Sequence, residues 1–220
     1  MIQISDLTFS YASGDFQFNL PTLSIEKKEK TAIIGPSGSG KTTLLNLISG
    51  ISVPNEGSIV INEQKISSLS DARRREFRIS RMGFVFQDFA LLDYLNIMDN
   101  ILHPYRVTNA LILNGSVRER ARKLASEMGI SDKLKRYPEK LSHGQKQRAA
   151  ICRALITSPK LILADEATGN LDPENKTKIL DLLFRQVEEK QATLVAVTHD
   201  HDLLDRFDRV IDFRDFMSGE

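Results

Sequence analysis

Eight consecutive residues, Gly35-Pro36-Ser37-Gly38-Ser39-Gly40-Lys41-Thr42, carry the first recognisable chemistry. They fit G-x-x-x-x-G-K-[ST], follow an apolar run, Thr31-Ala32-Ile33-Ile34, and open an amphipathic stretch over residues 43–49. Strand, glycine-rich loop and helix in that order form a phosphate cradle, a P-loop. The glycines let backbone N–H groups turn inward as an anion nest. The helix start adds partial positive charge at the same place. Lys41 would reach the β- and γ-phosphates, and Thr42 would offer its hydroxyl to Mg²⁺. A Gly/Ser-rich turn that happens to precede a helix is the plain alternative, and the flanking context speaks against it.

Two further stretches add groups to this one. Leu161-Ile162-Leu163-Ala164-Asp165-Glu166 is an apolar strand ending in two acids. A carboxylate at the end of a parallel strand stands in the crevice where such sheets bind ligands. Asp165 would hold Mg²⁺ and Glu166 would polarise the attacking water. Leu141-Ser142-His143-Gly144-Gln145 introduces a helix running to about residue 157. Ser142 and Gln145 have capping-box spacing, which explains a good helix start and nothing more. An open helix start with a serine hydroxyl is also an anion site. Two such starts in one chain suggest that the second serves a nucleotide held by another subunit.

These groups need strands and helices to present them. Residues 2–9 read as a strand with a local irregularity, residues 13–15 as a turn and residues 16–25 as a second strand. Residues 58–61 form another short strand after the turn at 54–57, so a small antiparallel layer lies beside the nucleotide-binding sheet. Residues 70–78 are helical and basic, with Arg73, Arg74, Arg75 and Arg78. A solvated helix face explains that charge better than a polyanion patch. Residues 82–86 are a strand ending at Gln87, and residues 88–142 change to helical spacing, an insertion in which Ser116 and Glu119 mark a capped helix start. From residue 161 the α/β pattern returns: a buried strand, a helix over 173–190, a strand over 193–198, a short helix near 202–205 and a last strand over 209–213. The fold class is α/β: one domain over residues 1–220, with core and antiparallel layer from 1–87 and 143–220 and a helical subdomain over about 88–142.

The bulk numbers narrow the function classes. The chain has 220 residues, 41% hydrophobic and 27% charged, with a formal net charge of +1. No global basic field points to nucleic acid. A single cysteine, Cys152, allows no intrachain disulfide and reads as a small core residue. No apolar run reaches the roughly 18 residues needed to cross a bilayer, and the N-terminus lacks a signal-peptide pattern. Work at a membrane would need another chain to span it.

In order and spacing, residues 35–42, Gln87, 141–145, Asp165-Glu166, Leu171-Asp172 and His199 resemble the ATP-binding cassette (ABC) ATPases. Residues 141–145 resemble the family signature L-S-G-G-Q, which separates it from other P-loop proteins. The resemblance covers essentially the whole chain and implies a mostly parallel core sheet, an antiparallel β layer and a helical subdomain. It implies ATP and Mg²⁺ as cofactors and a head-to-tail homodimer in the ATP state. Each ATP would lie between one P-loop (Gly35, Pro36, Ser37, Gly38, Ser39, Gly40, Lys41, Thr42, Thr43) and the partner's Ser142, Gly144 and Gln145. Tyr11 would stack on adenine, Gln87 would touch Mg²⁺ and link the site to the helical insertion, Asp172 would cross to the other P-loop, and His199 would hold the γ-phosphate opposite Glu166. Catalysis would rest on Glu166, His199, Lys41 and Gln87, and the metal on Thr42, Gln87 and Asp165.

Two positions depart from the pattern: His143 stands where the signature usually has its first glycine, and Ala167 replaces the proline that commonly follows Asp-Glu. Residues 87–92 and 168–172 look like the group of lipoprotein-release, macrolide-export and cell-division cassettes. The implied role is an ATPase subunit of a membrane transporter or mechanotransmission complex, peripheral on the cytoplasmic face of the inner membrane, with a separate integral membrane subunit and no nucleic acid. Phe89, Leu91, Leu92, Tyr94 and Leu95 would form the docking groove, unless they are internal core. A soluble ABC protein acting on DNA or ribosomes remains open, although such proteins carry long coiled-coil insertions or two cassettes in one chain. A small-molecule kinase sharing the P-loop would leave residues 141–145 and His199 unexplained.

Overall fold

The computed structural model describes residues 1–11, 16–167 and 173–216, with the side chains of 173–175 excepted. The turn expected at 13–15, and residues 168–172 with Asp172, lie outside the described residues.

A parallel five-stranded sheet forms the middle layer, in the order β6 (Met82–Val85), β7 (Leu161–Asp165), β8 (Thr193–Val197), β3 (Lys30–Ile34) and β9 (Arg209–Asp212). Its strands are apolar runs because both faces are covered. On one face Leu161, Leu163, Val195, Val197 and Ile33 pack against α1 (Lys41–Ile48) and a four-stranded antiparallel sheet. On the other, Ile162, Ala164, Leu194, Ala196 and Val85 pack against α5 (His143–Leu155), α6 (Pro173–Glu189) and the helical part of the chain.

The antiparallel layer runs β2 (Gln17–Ile25), β1 (Ile2–Ser10), β4 (Glu56–Ile61), β5 (Gln64–Lys65). The irregularity expected in β1 is a register shift against β4 between Ser5 and Thr8, with Asp6 at φ 47°. This layer positions the site through its aromatic residues. Phe9, Tyr11, Phe16 and Phe18 form a run of ring contacts that continues to Phe213 after β9. Phe16 and Phe18 close over Gly40, where an added Cβ would come within 2.9 Å of the Phe16 ring. Gly40 has φ 96°, so a side chain there would meet strain and a clash together.

Helix α1 ends in a Schellman motif. Gly50, at φ 67°, donates its N–H to Leu47, and Ile51 donates to Asn46. The basic helix α2 (Asp71–Arg81) braces that end instead of simply facing water. Arg74 Nε donates to the Gly50 carbonyl at 3.2 Å, and an Arg78 guanidinium nitrogen donates to the Ser49 carbonyl at 3.2 Å. Cations belong at a helix C-terminus, so two of the arginines serve α1. Burial is the main cause of the lowered Arg78 pKa.

The helical part contains α3 (Ile97–Leu102) and α4 (Gly115–Glu127). The start of α4 corrects the sequence reading. Asn114, not Ser116, is the N-cap: its side-chain oxygen accepts from Val117 N at 3.1 Å and from the Ser116 hydroxyl at 2.7 Å. Glu119 pairs with Arg122 instead of closing a capping box. Asn is as good an N-cap as Ser, and here it starts the helix two residues earlier. Cys152 is fully buried, and burial raises its thiol pKa further, as expected of a core residue.

Candidate nucleotide site

Four adjacent strands end at the same edge of the parallel sheet: β6, β7, β8 and β3. Their carboxyl ends deliver Gln87, Asp165 with Glu166, His199 and the P-loop respectively. Sheet order therefore converts residues scattered over the chain into one row.

Lys41 is buried, and its ammonium donates to the Gly35 carbonyl at 2.9 Å and the Pro36 carbonyl at 2.6 Å. The loop thus wraps the lysine before α1 begins, and no side chain caps that helix. Thr42 Oγ1 donates to Asp165 Oδ1 at 3.4 Å. The Asp165 carboxyl is pushed above its ordinary pKa by burial, opposed by the Thr42 hydrogen bond, raised again by neighbouring Glu166 and lowered by Lys41.

Glu166 sits in a left-handed turn at φ 46° and extends the ladder by donating its N–H to Val197 at 3.0 Å. That bend turns its side chain across the strand ends. One carboxylate oxygen accepts from Gln87 Nε2 at 3.0 Å, and the other lies 3.2 Å from His199 Nδ1. The loop carrying His199 is itself secured: Asp200 pairs with Lys176 of α6 at 2.9 Å and accepts from Asp202 N at 3.3 Å. A cleft of about 290 Å³ opens beside this row, lined by Gly35, Pro36, His199, His201, Asp212 and Arg214.

Tyr11 is 42% exposed and stands over the first turn of α1, its hydroxyl 3.2 Å from Thr43 Oγ1. Ser142 and Gln145 form the expected capping box, Ser142 N donating to Gln145 Oε1 at 3.1 Å and Gln145 N to Ser142 Oγ at 3.4 Å. These bonds close the first turn of α5, where Gly144 lies, on itself. The structure therefore gathers Lys41, Thr42, Asp165, Glu166, Gln87 and His199, and sets Ser142 and Gln145 apart as a second pair.

The donors beside Thr42 suit a hard cation: a hydroxyl, the Asp165 carboxylate and the Gln87 amide oxygen are all oxygen ligands. Among the described residues no group of three or more His, Cys, Asp or Glu forms a metal cage.

Two positioning residues carry no motif. Asn100 is fully buried, and its side chain bonds Leu92 N at 2.8 Å, Leu92 O at 3.0 Å and Leu95 O at 2.9 Å. Arg153 donates from α5 to the carbonyls of Phe89, at 2.6 Å, and Ala90. These ties pull much of the expected docking cluster inward. Phe89 is buried and Leu91 packs on the core, whereas Tyr94 is 75% exposed.

A cradle of this make, with a carboxylate bridged between an amide and an imidazole, belongs to a nucleoside triphosphatase, and residues 18–169 match the family described as ABC transporter. The chain belongs to that family: it is an ATP-binding cassette that binds and hydrolyses ATP. It is 37% identical over 217 residues to an uncharacterized ABC transporter ATP-binding protein of Mycobacterium tuberculosis, covering 97% of this chain and 87% of the relative. It is 38% identical over 209 residues to the lipoprotein-releasing system ATP-binding protein LolD of Treponema denticola, covering 92% and 90%. Among solved structures it resembles the dimeric post-hydrolysis state of the cassette MJ0796 bound to ADP and Pi. There the TM-score is 0.87 at 35% identity, with 96% of this chain and 94% of that one covered. Among the described residues no helix is long and apolar enough to cross a membrane.

Proposed function

We propose that two copies pair head to tail on Mg·ATP and drive a separate membrane subunit, with the cassette held peripherally at the cytoplasmic face of the membrane. The observation that carries this is the bridged Glu166, fixed by Gln87 on one side and His199 on the other beside Asp165 and Thr42. Lys41 and the loop amides neutralise the phosphates, and Thr42, Asp165 and Gln87 hold Mg²⁺, which supplies charge stabilisation at the phosphates. Glu166 takes the proton of the attacking water, and His199 holds the γ-phosphate from the other side. Tyr11 stacks on adenine. Catalysis here is mainly positioning and electrostatics.

The pairing is supported by the capped pair at Ser142 and Gln145, a second phosphate-competent helix start separate from the row, and by MJ0796, which is described as a dimer. A membrane partner is supported by the relatives, which are transporter ATP-binding proteins, and LolD favours a role in the lipoprotein-release group.

Glu166→Gln tests the reading. It keeps the hydrogen bond to Gln87 but removes the base, so turnover falls about 10²- to 10⁴-fold while ATP binding persists. Sedimentation velocity with ATP detects the accumulated dimer. Undiminished hydrolysis would remove Glu166 from its role.

A further inference from the structure

The segment leaving Gln87 is bent by two consecutive left-handed residues, Phe89 at φ 64° and Ala90 at φ 47°. Both carbonyls are held by Arg153 on α5. Burial lowers the Arg153 guanidinium to about 10, partly offset by Asp88. The Phe89 side chain is buried, and its ring meets that of His143, the first residue of α5, with centroids 6.0 Å apart and planes at 34°. That separation lies within the range of attractive aromatic pairs. The His143 ring is otherwise exposed, and it follows directly on the capping Ser142.

One line therefore runs from the Glu166 carboxylate to Gln87 through a hydrogen bond, along the backbone to Phe89, and from the Phe89 ring to His143 beside Ser142. Its first members belong to the site that the chain builds for itself. Its last members begin the helix that, on the pairing reading above, serves the other copy's nucleotide. With glycine at position 143 no side chain would complete this line; here an imidazole does.

We propose that His143 is a positioning residue: its ring, seated on Phe89, ties the first turn of α5 to the segment after Gln87, so each copy's own site sets the aim of the phosphate-binding turn offered to its partner. This rests on the pairing reading. The ring acts by holding a helix start in place and touches no reacting atom.

The test uses the full chain in a Glu166→Gln background, which keeps the ATP-bound pair intact. His143→Ala removes the ring; His143→Phe keeps one. ATP affinity is measured with a fluorescent analogue at protein concentrations too low for pairing, and ATP-dependent dimerisation by sedimentation velocity. In His143→Ala the monomer's ATP affinity stays at the parent value and dimerisation weakens by roughly two- to tenfold. His143→Phe restores it. A general folding defect would lower both quantities together and would leave the Phe variant no better than Ala. Parent-like pairing in His143→Ala, or failure of His143→Phe to recover, overturns the proposal alone. Absence of any ATP-dependent dimer in the parent overturns the pairing reading, and this proposal with it.

Discussion

The starts of α1 and α5 both suit a phosphate, yet they are built in opposite ways. Helix α1 begins after a glycine at φ 96° with no capping side chain, so its first amides are presented by backbone alone. Helix α5 begins with Ser142 and Gln145 bonded reciprocally, its first turn satisfied by its own side chains. The first is ready for an anion; the second must exchange an internal hydrogen bond for an external one. On the pairing proposed above, the difference implies an order: nucleotide enters at the P-loop first, and the capped turn engages only when a second copy brings a phosphate to it.

Substitutions at each start sharpen that contrast. Lys41→Ala acts at the ready start. It removes the ammonium at the centre of the loop, and ATP hydrolysis in a phosphate-release assay falls by at least about 10²-fold. Ser142→Ala acts at the capped start. It lowers stability by about 1 kcal/mol in chemical denaturation, and it weakens ATP-dependent pairing while monomer nucleotide affinity stays unchanged. Loss of nucleotide affinity in the monomer would break the comparison.

A third helix start provides the control. Asn114→Ala costs about 1 kcal/mol of stability and leaves hydrolysis at the parental rate, because α4 begins away from any phosphate. Ser116→Ala stays within about 0.5 kcal/mol. Equal effects of the two would return the cap to Ser116.

The smallest effect concerns the charge facing the ready start. Burial raises Asp165 above its ordinary value of 3.8, so ionising it costs the folded state. That cost is present in full above the folded pKa and vanishes as pH falls below 3.8. Asp165→Asn therefore raises the melting temperature of the nucleotide-free protein slightly at neutral pH, and the gain disappears in acid. The same variant loses the oxygen charge that would hold Mg²⁺, so hydrolysis falls while apparent stability rises.

Much of this was legible in the chain itself. Each reactive group ends an apolar strand, and strands buried on both faces read as continuous apolar runs, so the P-loop, Asp165 and Glu166 announce themselves locally. Parallel order in the sheet then brings Gln87 and His199 alongside. What local reading missed depends on distant partners. Arg153 looks like an ordinary helix arginine until Phe89 and Ala90, more than 60 residues earlier, present two carbonyls to it. Asn100 follows Asp99 on a short helix and looks like one more polar residue, and only the fold shows its amide tying the Leu92 N–H and the carbonyls of Leu92 and Leu95 together. The α4 cap is hard to place from sequence because two N-cap residue types lie two positions apart and the Ser116–Glu119 spacing favours the later one. The α2 arginines read as solvated because nothing nearby in sequence shows the end of α1 waiting for them.

The brace at the far end of α1 has a mechanical meaning. Arg74 and Arg78 hold its last carbonyls, and aromatic rings close over Gly40 at the opposite end. A rod wedged at head and foot cannot recoil along its length. That makes α1 a fixed seat for whatever the loop before it holds.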